Sequence, residues 1–113
     1  MDAIFVELPP FERYRQRYMT DEAFRRLQLE LLHNPVAGDV IQGTGGLRKA
    51  RFGDVERGKG KRGGIRIIYY WWTEGKQFWL FTLYTKGEVS DLSAKERELL
   101  SGLLRAERKA RQV

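Results

Sequence analysis

Two runs of β-branched and aromatic residues constrain this chain more than anything else in it. Ile65 to Thr73 reads IRIIYYWWT and Gln77 to Thr85 reads QFWLFTLYT. Such runs are strands, and Glu74-Gly75-Lys76 between them is a hairpin signal. The fold must therefore be built on a long hairpin, with Ile65–Thr73 as the central strand of its sheet. A glycine-rich basic loop ending in GKGKRGG, residues 58–64, feeds directly into that strand. One cation, Arg66, sits inside the strand itself.

The register of the hairpin follows from its pattern. Ile65, Ile67, Tyr69 and Trp71 share one face, and Arg66, Ile68, Tyr70 and Trp72 share the other. Matching apolar face to apolar face sets Ile65, Ile67 and Tyr69 beside Trp79, Phe81 and Leu83. The arginine face then carries Phe78, Leu80, Thr82, Tyr84 and Lys86, so Arg66 neighbours Tyr84 and Lys86. A buried charge is costly, so this face is expected to be the open one. The register requires a three-residue loop, because a slip of one residue reverses every side chain.

The rest of the chain supplies one edge strand, helices and a basic strand. Ala3 to Leu8 reads as a short strand. Pro9 and Pro10 open a helix over Phe11 to Met19, with Phe11, Tyr14 and Tyr18 on one side. Thr20 and Asp21 are N-cap candidates for a second helix running to His33, striped by Phe24, Leu27, Leu31 and Leu32. Asn34-Pro35 stops it, and His33 in its last turn suits the helix dipole rather than catalysis. Leu47 to Phe52 is a basic strand. Ser93 with Glu96 forms a capping box for a last helix, whose Leu99, Leu100, Leu103 and Leu104 are its packing face and whose tail, Arg105 to Arg111, is expected to fray. The order β-α-α-β-β-β-α predicts a single α+β domain over residues 1–113, an antiparallel sheet with helices packed on it.

Charge points to a polyanionic partner. The chain carries a net charge of +6 over 113 residues. Between Arg48 and Arg66 lie eight cations and two acids, an excess equal to that of the whole chain. Arginine and glycine concentrated in so short a window read as a nucleic-acid surface. The absence of cysteine and the single histidine exclude a disulfide framework, a thiolate metal site, a His-rich metal cluster and a Ser-His-Asp triad. No signal peptide is visible, and the longest apolar run, Ile67 to Trp72, falls far short of the roughly 20 residues that span a bilayer. A cytoplasmic protein without a membrane role is expected. Trp71 and Trp79 are expected in the core, and the side taken by Trp72 is left open.

Two glycine motifs are decoys. Gly53 to Lys59 matches most of a P-loop, but Gly60 stands where Ser or Thr should bind magnesium. Gly58-x-Gly60-x-x-Gly63 matches a dinucleotide fingerprint. Both run into a strand, whereas phosphates need a helix N-terminus. The chemistry available instead is cationic: Lys59, Lys61 and Arg62 from the loop, Arg66 from the strand, and Tyr84 and Lys86 from its neighbour. Such a cluster binds phosphate and stabilises the charge of a pentavalent transition state. RNA brings its own nucleophile, the 2′-hydroxyl. A lysine among other cations, or a tyrosine, can then replace histidine in proton transfer, with neither metal nor cofactor.

The element order, the segments VIQGTGGLRKARF and GKGKRGGIRIIYYWW, and the closing FTLYTKGEVSDLSAKE together resemble the RelE/HigB family of bacterial toxins over nearly the whole chain. The likeness is strongest to the HigB branch, encoded beside helix-turn-helix antitoxins. The resemblance implies the toxin of a type II toxin–antitoxin system. It also implies a metal-independent mRNA interferase that enters the ribosomal A site, cuts the exposed codon through the 2′-hydroxyl and so halts translation and growth. On its own the toxin would be a monomer, and with its antitoxin a hetero-oligomer. Carried over residue by residue, Arg66 matches the strand arginine on the scissile phosphate, Lys59 and Lys61 the loop cations, and Tyr84 and Lys86 the strand-end catalytic groups. Arg48, Lys49, Arg51 and Arg62 are expected to bind RNA. Some relatives place a histidine near that strand end and others a tyrosine on the last helix. This chain has neither, which leaves Lys59 or Lys61, then Tyr84, as candidates for the general base. The competing readings are a non-catalytic RNA- or ribosome-binding module and a surface whose cations only solubilise.

Overall fold

The structure, a computed structural model, describes residues 2–53, 64–89 and 91–113. In chain order the elements are β1 (Ile4–Glu7), α1 (Pro9–Tyr18), α2 (Asp21–His33), β2 (Asp39–Val40), β3 (Arg48–Phe52), β4 (Ile65–Trp72), β5 (Gln77–Thr85) and α3 (Ala94–Arg111). They build one five-stranded sheet in the order β1-β5-β4-β3-β2, with β4 at its centre.

The helices start where short-range chemistry dictates. Pro9 and Pro10 occupy the first turn of α1, where a missing N–H costs nothing. Thr20 caps α2 by accepting from the Ala23 amide at 3.1 Å. Ser93 and Glu96 form the reciprocal capping box of α3, at 3.1 and 2.9 Å.

The sheet is mixed rather than antiparallel throughout. β2, β3, β4 and β5 form an antiparallel meander, but β1 lies parallel to β5, with Phe5 opposite Phe78. The rings of these two residues stack at 4.7 Å. After β1 the chain crosses one face through α1 and α2 to the far edge, and the meander returns to β1 four strands later. Strand direction at such a distant pairing is set by this tertiary path, which local pattern does not encode. The two-residue β2 also adds an edge strand to the predicted order.

Both faces of the sheet are covered. On one, Phe11, Met19, Ala23, Leu27 and Leu31 of the first two helices and the residue between them pack on Ile65, Ile67, Tyr69, Phe78, Leu80 and Leu83. On the other, Leu100 and Leu104 of α3 pack with Leu47, Ile68, Trp79, Phe81 and Tyr84. The Arg66 face is therefore not the open one. Its remaining members, Ile68, Tyr70 and Trp72, are apolar enough to demand cover, and the strand end bearing Arg66 opens into a pocket. Trp72 takes this same side, its ring 5.9 Å from that of Trp79.

A bulge reconciles the two halves of the hairpin. Arg66 pairs with Tyr84, Ile67 with Leu83 and Ile68 with Thr82, as the pattern predicts. Between Ile68 and Tyr69 the register shifts by one residue, so Tyr69 faces Leu80 and Trp72 faces Gln77. Phe81 is the extra residue. Beyond it the faces exchange: Phe78 and Leu80 join the α1/α2 side, and Trp79 and Phe81 join α3. The connection is accordingly four residues, Thr73 to Lys76, rather than three. Lys76 takes a left-handed φ of 51°. A Cβ on Gly75 would fall on the Trp72 ring, so glycine is required there.

The α3 tail does not fray. It stays helical to Arg111, whose Nε meets Glu107 at 2.8 Å and whose guanidinium lies 5.0 Å over the Trp79 ring. Of the four leucines predicted to pack, Leu100 and Leu104 are buried, whereas Leu99 and Leu103 are 62% and 50% exposed. Among the described residues, no helix is long and apolar enough to cross a membrane.

Candidate active site

Three adjacent strands set one row of side chains side by side. Arg51 of β3 pairs with Arg66 of β4, and Arg66 pairs with Tyr84 of β5. Lys49, two residues before Arg51, shares this face. Together with Lys86, Val89 and Asp91, which follow β5, these residues line a pocket of about 260 Å³.

The segment after β5 is held by its own hydrogen bonds. The Glu88 carboxylate accepts from the Thr85 amide and hydroxyl at 3.0 and 2.9 Å, and from the Tyr18 hydroxyl at 2.9 Å. This ties the turn carrying Lys86 to α1. The α3 capping box fixes the other end of the connection, so Asp91, two residues before Ser93, is brought to the pocket mouth. There its Oδ1 accepts from the Leu92 amide at 2.9 Å and lies 4.0 Å from Lys49 Nζ.

The electrostatics favour an anion. Arg66 is only 6% exposed and donates to the Gly64 carbonyl at 3.4 Å. Burial, then the Arg51 charge, lowers its proton affinity below that of an ordinary arginine. It nonetheless stays a cation. Arg51 and Arg66 are cross-strand partners whose like charges disfavour each other, so this end of the sheet suits an anion. Burial pushes the Tyr84 phenol up; Arg66 opposes the shift, and Asp91 and Glu96 add to it. Tyr84 is thus held protonated, as a donor and not as a base at neutral pH. Paired guanidiniums, lysines and one phenol fit a phosphate with a leaving oxygen to protonate.

Of the residues predicted from sequence, Lys49, Arg51, Arg66, Tyr84 and Lys86 come together here. Arg48 does not. Its guanidinium donates to the Gly38 carbonyl at 2.8 Å, and it sits opposite Tyr69, whose side chain packs on the α1/α2 side. Alternation along β3 sends neighbouring cations to opposite faces, so a charge count alone could not sort them. Lys59, Lys61 and Arg62 lie outside the described residues. Asp91 was not singled out from sequence; its signal was the Ser93–Glu96 box, which fixes where the chain turns back across the end of the sheet. Among the described residues, no group of three His, Cys, Asp or Glu side chains is placed to hold a metal ion.

No protein-family profile matches the chain. Solved structures do resemble it. A double arginine-to-alanine mutant of the E. coli toxin RelE in the free state superposes with a TM-score of 0.52, at 13% identity over 80% of this chain and 90% of that one. The intact E. coli RelBE toxin–antitoxin complex matches with a TM-score of 0.52, at 14% identity over 73% of this chain and 94% of that one. The chain has a RelE-like fold. At such low identity the likeness establishes architecture, and the pocket must argue for chemistry by itself. In this RelE-like frame the pocket occupies one end of the central strand, where Arg66 stands.

Proposed function

We propose that this protein is the toxin of a type II toxin–antitoxin system, acting as a ribosome-dependent endoribonuclease on translated mRNA. The observation that carries the reading is the Arg51–Arg66–Tyr84 row, flanked by Lys49 and Lys86, in one pocket of about 260 Å³. Arg66 and Arg51 grip the scissile phosphate and absorb the charge that grows on its oxygens. Lys49 and Lys86 steer the RNA strand. The 2′-oxygen attacks phosphorus in line, the bond to the 5′-oxygen breaks, and a cyclic phosphate and a 5′-hydroxyl result. Tyr84, held in its protonated form, gives its proton to the departing oxygen. Lys59, Lys61 and Arg62 would act on the same strand of RNA from the preceding loop.

The partner follows from the same reading. The likeness to the RelBE complex supports an antitoxin partner, and the resemblance to the HigB branch would make it one of helix-turn-helix type, forming a hetero-oligomer with a toxin that is otherwise monomeric. The ribosomal A site would present the mRNA in the cytoplasm, and no metal or cofactor is needed.

Primer extension on cellular mRNA after brief induction tests this, with Arg66→Ala beside the unmodified chain. Cuts confined to translated frames and absent with Arg66→Ala are expected. Growth arrest without cuts would overturn the nuclease reading and leave a non-catalytic ribosome- or RNA-binding module.

A further inference from the structure

The pocket has donors in plenty, but the proposed reaction also needs a proton acceptor. Lys49 and Arg51 face it from β3, Arg66 from β4, Tyr84 from β5, and Lys86 from the turn that follows. Tyr84 is held protonated. Among the described residues lining the pocket, one side chain is a carboxylate, Asp91. The other acids nearby among the described residues are engaged elsewhere. Glu88 is held by Thr85 and Tyr18, and Glu96 accepts from the Ser93 amide at 2.9 Å in the capping box.

We propose that Asp91 is the general base for the 2′-hydroxyl. This rests on the endoribonuclease reading and deepens it. Three features suit Asp91 to the task. The Leu92 amide and Lys49 fix one of its oxygens, at 2.9 and 4.0 Å, so the carboxylate is oriented without being buried. Its side chain is 80% exposed at the mouth, where a ribose can reach it while the phosphate lies deeper against Arg66. Tyr84 lies in the same pocket, so acceptor and donor share one site.

The step balances. The Asp91 carboxylate takes the 2′-hydroxyl proton as the 2′-oxygen bonds to phosphorus. The bond from phosphorus to the 5′-oxygen breaks with its electron pair, and that oxygen takes the Tyr84 proton. Afterwards Asp91 loses its proton to water and the tyrosinate regains one from water. Lys49 is a positioning residue here, since it acts through Asp91.

The test is single-turnover cleavage of a defined mRNA on programmed ribosomes between about pH 6 and pH 8. A carboxylate base is already ionised across this range, so the rate should be nearly flat. A lysine base would make it climb about tenfold per pH unit. Asp91→Asn should lower the rate roughly 10²–10⁴-fold and make the remainder rise with pH, while Asp91→Glu restores much of the rate and the flat profile. Asp91 is exposed, and an unchanged urea midpoint verifies that the Asn variant folds. A merely structural Asp91 would shift half-saturation without changing the slope. A steeply rising wild-type profile, or an Asn variant that keeps the wild-type rate and slope, would overturn the assignment. If Arg66→Ala still abolishes cleavage in that case, the nuclease reading stands alone. Cleavage of a substrate lacking the 2′-hydroxyl at the cut, or no cleavage by wild type, would remove the nuclease reading and the base together.

Discussion

Replacing Arg66 with leucine separates what this residue does for activity from what it does to the fold. In the free protein Arg66 stands directly opposite Arg51 and is 6% exposed. Like charges so opposed cost about 0.2–1 kcal/mol, which leucine removes. Against this stand the 3.4 Å bond to the Gly64 carbonyl and the further contacts that the guanidinium makes. Hydrogen bonds of a charged group contribute about 1.5–3 kcal/mol, so after the relief of repulsion leucine should destabilise the fold by about 0.5–3 kcal/mol. On the proposed function, cleavage should fall at least 10²–10³-fold, since Arg66 would be a main stabiliser of the transition state. Urea denaturation followed by tryptophan fluorescence reads the first quantity, and single-turnover cleavage the second. Added phosphate should raise the wild-type midpoint by mass action and leave the leucine variant unmoved. A variant destabilised by more than about 4 kcal/mol would refute the argument, because lost cleavage would then follow from a lost fold.

Three further predictions concern the surroundings of the site. Tyr69→Phe removes a hydroxyl that donates to the Pro35 carbonyl at 2.7 Å and accepts from the buried Gly38 amide at 3.2 Å. Unfolding in urea should register a loss of about 2–4 kcal/mol, and a loss under 1 kcal/mol would show that the 35–40 bend is anchored otherwise. The Thr85 amide, and after it the Tyr18 hydroxyl, hold the Glu88 carboxylate below the ordinary glutamate range. A depressed folded value gives stability that is present above the unfolded value and lost as pH falls through the folded one. The midpoint difference between wild type and Glu88→Gln should therefore close on acidification, and a constant difference would count against the linkage. Burial holds the Tyr84 phenol above the ordinary tyrosine range, so its contribution is intact below the unfolded value of about 10 and is lost as pH rises through the folded one. Ultraviolet difference titration against Tyr84→Phe should show one phenol ionising late, and ordinary titration would disprove its shielding.

What could be read from the residues alone was governed by the range of the interactions. Thr20, Ser93 and Glu96 act within one helical turn, and each caps where the sequence places it. The pairing of Arg66 with Tyr84 was legible because alternation on both strands converges on it. Past Ile68 the same reasoning failed, since nothing in an unbroken apolar run marks which residue will bulge. The cover over the Arg66 face is hard to read for a related reason: one charge suggests an open face, but Ile68, Tyr70 and Trp72 outweigh it. The parallel β1–β5 pairing and the approach of Asp91 to Lys49 both depend on distant segments meeting. Arg48 shows the limit of composition: its charge belongs to the basic segment, but strand parity sends it to the Gly38 carbonyl.

The bulge at Ile68/Tyr69 has a consequence for how this hairpin tolerates change. The Arg66–Tyr84 end and the four-residue tip are out of step by one residue, and Phe81 absorbs the difference. The bulge therefore acts as a fixed offset between the pocket end of the hairpin and its tip. Ironing it out with Arg66 kept opposite Tyr84 would turn Trp79 and Phe81 away from α3 and Phe78 and Leu80 towards it, and all four are buried where they stand. A one-residue deletion at Thr73–Lys76 should therefore be met by a tighter turn and leave the bulge in place. The two cores on either side of β5 thus hold the register at Arg66 independently of the length of the tip.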